Sequence, residues 1–161
     1  MFHRRNLPHF EKWDHPYFIT FRTYENFVLP PGARDLALQH CLYENGTRVH
    51  LYAAVVMPNH VHLILTPLMD DLGDRFSLSK IMNSIKGASS HGINKLLDRK
   101  GHVWQDESFD HVLRTYESLE EKIYYIAQNP VRAGLCRSAG EYKWFWREAQ
   151  PRAAVPHKTG V

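Results

Sequence analysis

The sequence has few cysteines and no long uninterrupted apolar run. Cys41 and Cys136 are the only two cysteines among 161 residues. Two are too few for a disulfide framework, so both are interpreted as small packing residues of a reduced, cytoplasmic protein. The longest apolar stretch, residues 55–65, is interrupted at Pro58 and is too short to cross a membrane. The basic N-terminal residues are not followed by an apolar segment, so no secretory signal is expected.

Sequence patterns of several enzyme and binding classes are also missing. The chain has no His-Glu-x-x-His pattern and no Cys-x-x-Cys pair, so a zinc protease or a zinc ribbon is not supported. It has no Walker-type glycine loop, which argues against chemistry driven by ATP. The glycine-aromatic pattern of an RNA-recognition motif is absent from the strand predicted around His60 and His62.

The length and composition are those of an ordinary soluble protein. The 161 residues suit one domain, which we place at residues 1–146, with a loose tail over residues 147–161. The formal net charge is +3 and the sequence pI is about 8.9, which is compatible with a polyanionic partner without requiring one. The 11 histidines are more unusual, because histidine is the commonest metal ligand.

Local patterns predict the element order β-α-β-β-α-β-α, which indicates an α+β fold with an antiparallel sheet covered by helices. Pro30 to Gly32 is interpreted as a break before the first helix. The segment from Ser118 to Glu121 resembles a capping box that opens the last helix, which should stop before Pro130. The strands are predicted over residues 17–22, 48–56, 60–66 and 103–113, and the helices over residues 36–45, 78–97 and 119–128.

His60 and His62 form the first candidate site. They are two residues apart on a predicted strand, so their side chains leave the same face of the sheet and could converge on one cation. An isolated His-x-His pattern is short, and it also fits the polar face of an amphipathic strand. The pattern therefore suggests a metal site without establishing one.

Tyr125 is the candidate nucleophile. It projects away from the apolar stripe of the last helix, whereas Tyr124 lies nearer the boundary and is the more natural packing residue. Asn129 follows one turn later on the same face, and its amide oxygen is a reasonable third ligand for a hard divalent ion. A surface tyrosine and a helix-terminal asparagine remain the simpler alternatives for both residues.

The segment Met57-Pro58-Asn59-His60-Val61-His62-Leu63-Ile64-Leu65 resembles the HUH signature of the single-tyrosine transposases, and most of all the branch associated with repetitive extragenic palindromes (REP). Further similarities follow in the expected order between residues 17 and 144. They are Tyr17 to Arg22, Lys80-Ile81-Met82, Lys86-Gly87, Val103-Trp104-Gln105, Phe109-Asp110-His111-Val112-Leu113-Arg114, and the run from Tyr125-Ile126-Ala127-Gln128-Asn129 through Leu135.

This resemblance implies a ferredoxin-like βαββαβ core followed by a helix that carries the catalytic tyrosine. By position, His60 and His62 match the histidines that hold a divalent cation, Mg²⁺ or Mn²⁺. Tyr125 matches the tyrosine that attacks DNA, and Asn129 matches a further polar ligand. The implied activity is the nicking and rejoining of single-stranded, hairpin-forming DNA through a 5′-phosphotyrosine, by a monomer or a homodimer.

Basic side chains in the matched segments and at the N-terminus are the candidate DNA contacts, although each alone fits a solvated surface charge. One departure from the family pattern is Phe145-Trp146, where small hydroxyl residues would be expected. It leaves open how the C-terminal segment packs. The candidate DNA contacts are Arg4, Arg5, Arg22, Lys80 and Lys86.

Two other functional interpretations remain at this point. In a metal-dependent hydrolase, water rather than Tyr125 would attack, and no covalent protein-DNA adduct would form. In a non-catalytic or domesticated ferredoxin-like module, the chain would bind nucleic acid without mobilising it. Both are compatible with the same fold.

Overall fold

The computed structural model describes residues 15–149 of the chain. Within this range, five strands form one antiparallel sheet and three α-helices pack on its two faces. The order of elements is β1 (Tyr17–Thr23), α1 (Pro31–Tyr43), β2 (Val49–Val56), β3 (His60–Pro67), α2 (Leu78–Leu97), β4 (Trp104–Val112), α3 (Tyr116–Arg132) and β5 (Phe145–Arg147), with short 3₁₀ turns at Tyr24–Asn26 and Ala139–Glu141.

The sheet has the strand order β4-β1-β3-β2-β5. Its first four strands, with α1 and α2 as the crossovers, form the predicted βαββαβ core, and the α+β prediction is confirmed. The short strand β5 then extends the sheet beside β2, pairing Val55 with Phe145. As a result, β1 and β3 lie in the interior of the sheet and β4 forms one edge.

The alternation of side chains divides the sheet into two differently used faces. On β3, Val61, Leu63 and Leu65 point to the face covered by α1 and α2, where the larger hydrophobic cluster lies. Ile64 points to the opposite face, where it packs in a second cluster with Ile123 of α3. His60 and His62 have the same parity as Ile64, so the candidate metal ligands lie on the face that carries α3.

The start of α1 differs from the prediction. Pro31 is the first residue of the helix rather than part of a preceding break. Proline is well suited to this position, because its fixed φ is helical and its missing N–H would have had no partner in the helix. The buried face of α1 is formed by small residues, namely Ala33, Ala37 and Cys41. Burial raises the pKa of the Cys41 thiol to about 12, which is consistent with a packing role.

The predicted limits of α3 are wrong at both ends. Thr115, not Ser118, is the N-cap, and its side chain accepts a hydrogen bond from the backbone N–H of Ser118 at 3.1 Å. The helix also continues through Pro130 to Arg132. The proline ring is buried, and helical hydrogen bonding resumes beyond it, from the N–H of Ala133 to the carbonyl of Asn129 at 3.0 Å. Pro130 therefore removes one backbone hydrogen bond near the end of the helix without ending it.

The C-terminal segment packs against β2. Trp146 pairs with Ala54 in the sheet, so the two aromatic residues that depart from the family pattern form strand β5. This strand includes Arg147, one residue beyond the predicted domain boundary. The backbone N–H of Glu148 also donates to the carbonyl of Tyr52 at 2.9 Å. The rest of the predicted tail, residues 150–161, lies outside the described residues. No helix between residues 15 and 149 is long and apolar enough to cross a membrane.

Candidate active site

The two histidines of the His-x-His pattern lie side by side on β3. Their ring centroids are 4.8 Å apart, with the ring planes inclined at 75°. His62 is buried and has 7% of its surface exposed, whereas His60, at the start of the strand, is half-buried. The strand alternation thus gives the shared orientation that the sequence spacing predicts.

Each imidazole is held through its Nδ1 atom by a neighbouring polar group. Nδ1 of His60 lies 2.8 Å from the side-chain oxygen of Asn59, whose amide nitrogen in turn donates to Asn26 Oδ1 at 2.8 Å. Because the Asn59 oxygen can only accept, Nδ1 of His60 is the donor, and the lone pair is left on Nε2. Nδ1 of His62 lies 2.8 Å from the hydroxyl of Thr20 on β1. Such partners fix ring orientation in metal sites.

The environment also keeps both imidazoles neutral. Burial lowers the pKa of His60 to about 4, with a smaller contribution from the positive charge of Arg22. Burial likewise lowers the pKa of His62 to about 3, and His60, Arg22, Lys122 and Arg132 add to the effect. A neutral imidazole is the form that binds a metal ion. Near pH 7 both rings therefore have a lone pair to offer.

Tyr125 is brought to these histidines by the packing of α3. Its ring centroid is 6.4 Å from that of His62 and 6.4 Å from that of Phe18. The side chain is 46% exposed, so it is accessible to a substrate. The prediction that Tyr124 is the packing tyrosine is wrong, because Tyr124 is 66% exposed.

The reason lies in the continuation of the helix. With Pro130 buried, the core stripe of α3 runs through Leu119, Ile123, Ile126 and Pro130. Both tyrosines then project at about 130° from the centre of this stripe, on opposite sides of it. Helix periodicity alone does not separate them. The placement of α3 on the sheet, where it contacts β2, decides which of the two tyrosines faces His62.

Two cationic side chains that the sequence analysis did not single out flank the Tyr125 ring. The ammonium of Lys122 is 4.9 Å from the ring centroid, and the guanidinium carbon of Arg132 is 4.5 Å from it. Arg132 also donates a hydrogen bond to the backbone carbonyl of Tyr125 at 2.8 Å. Lys122 precedes Tyr125 by three residues on the helix and Arg132 follows by seven. The helical repeat was therefore the signal that could have identified them.

Asn129 lies one turn after Tyr125 on the same helix and is half-buried. Within residues 15–149, no three His, Cys, Asp or Glu side chains are grouped so that they could hold a metal ion. A cation bound by His60 and His62 would need a third ligand of another type. The amide oxygen of Asn129 has suitable chemistry for Mg²⁺ or Mn²⁺. Two neutral imidazoles and one amide are thus a donor set that fits such an ion.

The sheet and α3 enclose an open cleft of about 600 Å³ beside the tyrosine. Arg22, predicted as a DNA contact, reaches into it from β1, opposite His60 in the register of the sheet. A smaller cleft of about 450 Å³ lies on the other side of Tyr125, next to Lys122 and Arg114. The larger cleft is lined by Phe18, Thr20, Arg22, His62, Gln105, Glu107, Ser108, Phe109 and Tyr125.

Of the remaining predicted DNA contacts, Lys80 and Lys86 do not line this cleft. Lys80 lies on α2, beside Arg48 and Arg75, and α2 covers the opposite face of the sheet. Lys86, also on α2, directs its ammonium to the backbone carbonyls of Gln105, Asp106 and Glu107, at 3.0, 3.2 and 3.1 Å. Their contact with DNA stays a prediction. Arg4 and Arg5 lie outside the described residues.

Comparison with known proteins identifies the family. The sequence model of the family described as "Transposase IS200 like" matches residues 13–129. This segment includes the paired histidines, Tyr125 and Asn129 and spans well over half of the chain. The chain therefore belongs to the IS200-like transposase family, a family of DNA-processing enzymes that carry out DNA transposition.

The first of two similar solved structures supports the fold. One similar structure is a REP-associated tyrosine transposase bound to a REP hairpin, with 19% identity and a TM-score of 0.65. The match covers 90% of this chain and 81% of that one. Another is a putative transposase from Deinococcus radiodurans R1, with 17% identity, a TM-score of 0.45 and coverage of 78% and 95%. Among curated proteins, none matches this chain in sequence.

Proposed function

We propose that this transposase nicks and rejoins single-stranded, hairpin-forming DNA, with Tyr125 as the nucleophile and a divalent cation, Mg²⁺ or Mn²⁺, held by His60, His62 and Asn129. The observation that carries the proposal is the position of Tyr125. An accessible tyrosine stands 6.4 Å, centroid to centroid, from a buried neutral histidine and is flanked by two cations. A merely solvated surface tyrosine would not need such surroundings.

In the proposed reaction, the phenolic oxygen of Tyr125 attacks the scissile phosphorus. A new P–O bond forms to the tyrosine as the bond to the 3′ oxygen of the preceding nucleotide breaks, and the phenolic proton is in net transferred to the departing 3′ oxygen. The products are a 5′-phosphotyrosine and a free 3′-hydroxyl. Because the phosphodiester is conserved, a second 3′-hydroxyl can reverse the step and join strands without an external energy source.

The chain's own cations support this chemistry. A free tyrosine has a pKa near 10 and is a poor nucleophile at neutral pH. Lys122 and Arg132 lie against its ring, where positive charge stabilises a developing phenolate and the extra negative charge of the transition state. Arg132 also anchors the helix backbone at Tyr125, so it helps to hold the nucleophile in place.

A divalent cation on His60, His62 and Asn129 would polarise the scissile phosphate and help to neutralise its charge. His60 and His62 are already neutral and held in a fixed orientation without a bound ion. Burial keeps both imidazoles neutral, and Asn59 and Thr20 hold their Nδ1 atoms. An ion bound there would be adjacent to Tyr125.

Three features support single-stranded, hairpin-forming DNA as the substrate, and we propose that a monomer or a homodimer acts on it in the cytoplasm. The structurally similar transposase is bound to a REP hairpin. The pI of about 8.9 and the exposed Arg22 in the cleft suit a polyanion. The cleft is also lined by β4, an edge strand of the described sheet, and single-stranded DNA is flexible enough to bend into such a cleft.

The test uses a labelled single-stranded hairpin from the flanks of the gene, incubated with Mg²⁺ or Mn²⁺. A covalent protein-DNA adduct is sought on a denaturing gel with wild type, Tyr125→Phe and His62→Ala. The matched controls are Tyr124→Phe, the neighbouring and more exposed tyrosine, and His50→Ala, a histidine of β2 that pairs with Glu148.

We expect an adduct with the wild type and both controls, and none with Tyr125→Phe or His62→Ala. Cleavage without any adduct would instead indicate a hydrolase in which water attacks. Tight binding with neither cleavage nor adduct would favour a non-catalytic or domesticated binding module. Loss of the adduct in Tyr124→Phe alone would identify Tyr124 as the nucleophile instead of Tyr125.

A further inference from the structure

Phe109 lies in the same cross-strand row as the catalytic candidates. On the sheet, Thr20 is the register partner of Phe109 on β4 and of His62 on β3. Directly opposed residues of antiparallel strands point to the same face. Phe109 therefore faces the side of the sheet that carries His62 and Tyr125. The two strand spacings between Phe109 and His62 correspond to roughly 10 Å.

The Phe109 side chain is 61% exposed. A single exposed aromatic residue is ordinary on a protein surface, but this one forms part of the wall of the 600 Å³ cleft that also contains Tyr125 and Arg22. It lies on β4, which forms one edge of the sheet in the described part of the chain. An apolar ring in that position is a flat surface on which an unpaired base can stack.

The two charged side chains of the same cleft suit different parts of a nucleotide. Arg22 enters from β1 and Glu107 from β4, two residues before Phe109. Arginine suits the phosphate of a nucleotide. A carboxylate repels phosphate, but it accepts a hydrogen bond from the amino group of cytosine. A carboxylate beside an exposed aromatic ring is therefore suited to a base edge.

We propose that this cleft is a pocket for one unpaired base next to the scissile phosphate. Phe109 stacks on the base, and Glu107 accepts a hydrogen bond from its exocyclic amino group. The pocket consequently prefers cytosine, which has such a group, to thymine, which has a carbonyl oxygen in its place. The inference rests on the proposed function in that it places the base beside the phosphate that Tyr125 attacks.

The test measures binding alone, in EDTA, so that it does not depend on cleavage. Fluorescence anisotropy with short labelled oligo(dC) and oligo(dT) strands compares the wild type with Phe109→Ala, Glu107→Gln and the control Tyr124→Ala. Tyr124 is an equally exposed aromatic residue on α3 that does not line the cleft. A Phe109→Trp protein adds a second signature, because a base stacked on tryptophan quenches its fluorescence; the wild type, with its four native tryptophans, gives the baseline.

We expect Phe109→Ala to weaken binding of both strands by about 5- to 150-fold, the range for loss of one base-aromatic stack, and Tyr124→Ala to leave binding within about twofold of the wild type. The wild type should bind oligo(dC) more tightly than oligo(dT). Glu107→Gln should remove this preference, because an amide can donate as well as accept. The Phe109→Trp fluorescence should fall on addition of oligo(dC).

Unchanged affinity of a folded Phe109→Ala protein, with melting temperature and circular dichroism as for wild type, would overturn the proposal. So would a Phe109→Trp protein whose fluorescence falls no more than that of the wild type. A Phe109→Ala protein that changes its oligomeric state but not its DNA affinity would also overturn the proposal, since the edge strand would then be an interface between copies of the chain. A wild type that binds as expected here but forms no covalent adduct would leave the base pocket standing and reject the nicking function instead.

Discussion

The hydroxyl oxygen of Thr20 lies 2.8 Å from Nδ1 of His62, between neighbouring interior strands of the sheet. Both residues are buried, with 8% and 7% of their surface exposed. The contact fixes the rotation of the imidazole about its side-chain bonds and turns Nε2 away from β1. His62 is thus held by the sheet itself, and an ion that binds the ring need not first order it.

Replacing Thr20 with valine removes this hydrogen bond while keeping the shape of the side chain. If His62 is a metal ligand, we expect the affinity for Mn²⁺ to fall by about 10- to 100-fold, the usual effect of losing such an outer partner. Isothermal titration calorimetry measures the change directly. Thr20→Ser retains the hydroxyl and should bind nearly as the wild type does. Equal affinity of the valine and serine variants would contradict the role of Thr20.

The two neutral histidines should make metal-free protein less stable in mild acid. Both folded-state pKa values, about 4 for His60 and about 3 for His62, lie below the value of about 6.5 expected in the unfolded chain. Between pH 6.5 and about 4 the unfolded state therefore binds more protons, so the free energy of unfolding falls as pH falls through this window. Above pH 6.5 these two groups add no pH dependence.

Urea unfolding in EDTA at a series of pH values between 4 and 8 measures this effect. A double variant, His60→Asn with His62→Gln, lacks both groups and should show a flatter profile in the same window. The acidic residues contribute equally to both proteins, so the difference between the two profiles isolates the histidines. Parallel profiles would contradict the assigned neutral state.

Lys86 is expected to matter for stability. Its ammonium donates to three backbone carbonyls of β4, near the irregularity between β1 and β4 at Phe21 and Thr23. Lys86→Met should lower the free energy of unfolding by about 1–3 kcal/mol, since it leaves charge-assisted hydrogen bonds unmade. Lys80→Met, at an exposed position on the same helix, should change it by less than about 0.5 kcal/mol.

The same two variants also test the predicted DNA contacts. A lysine that neutralises a phosphate should, when replaced, reduce the salt dependence of DNA binding by about one unit of the logarithmic slope. We expect this for Lys80→Met if the sequence prediction is right. For Lys86→Met the same prediction gives a lower slope together with lower stability. A lower stability with an unchanged slope would show that the Lys86 ammonium keeps its contacts with β4 and does not bind DNA.

The N-cap of α3 offers a further stability prediction. The Thr115 side chain accepts from the backbone N–H of Ser118, so Thr115→Ala should lower the free energy of unfolding by about 0.5–2 kcal/mol. Ser118→Ala leaves that cap in place and should cost less. Chemical denaturation distinguishes the two positions. A larger effect at Ser118 would support the capping box read from the sequence instead.

Regular patterns made much of the fold predictable. The alternation on β3, the long apolar stripe of α2 and the β-branched run of β1 gave the correct element types in the correct order. The predicted limits of the helices were wrong where a residue type is compatible with more than one local structure. Pro31 opens a helix and Pro130 lies inside one, although proline in sequence most often signals a break. Thr115 and Ser118 both had the chemistry of a cap, and only the backbone geometry separates them.

The candidate site shows the same division. The spacing of His60 and His62 determined that both point to one face, because strand geometry is local. The spacing of Tyr125 and Asn129 likewise put them on one side of a helix. Neither spacing says that this strand face and this helix face meet. That depends on how α3 packs on the sheet, through contacts between residues far apart in the chain, such as those of α3 with β2.

By itself, then, the sequence determined the element order, the faces on which the paired residues lie, and the family. The tertiary structure alone decided that Tyr125 rather than Tyr124 faces His62, that Thr20 and Asn59 hold the imidazoles, and that Lys122, Arg132 and Phe109 lie around Tyr125. The physical reason is that periodicity fixes direction along one element. Proximity between elements depends on the burial of apolar surface across the whole sheet, which the local pattern does not record.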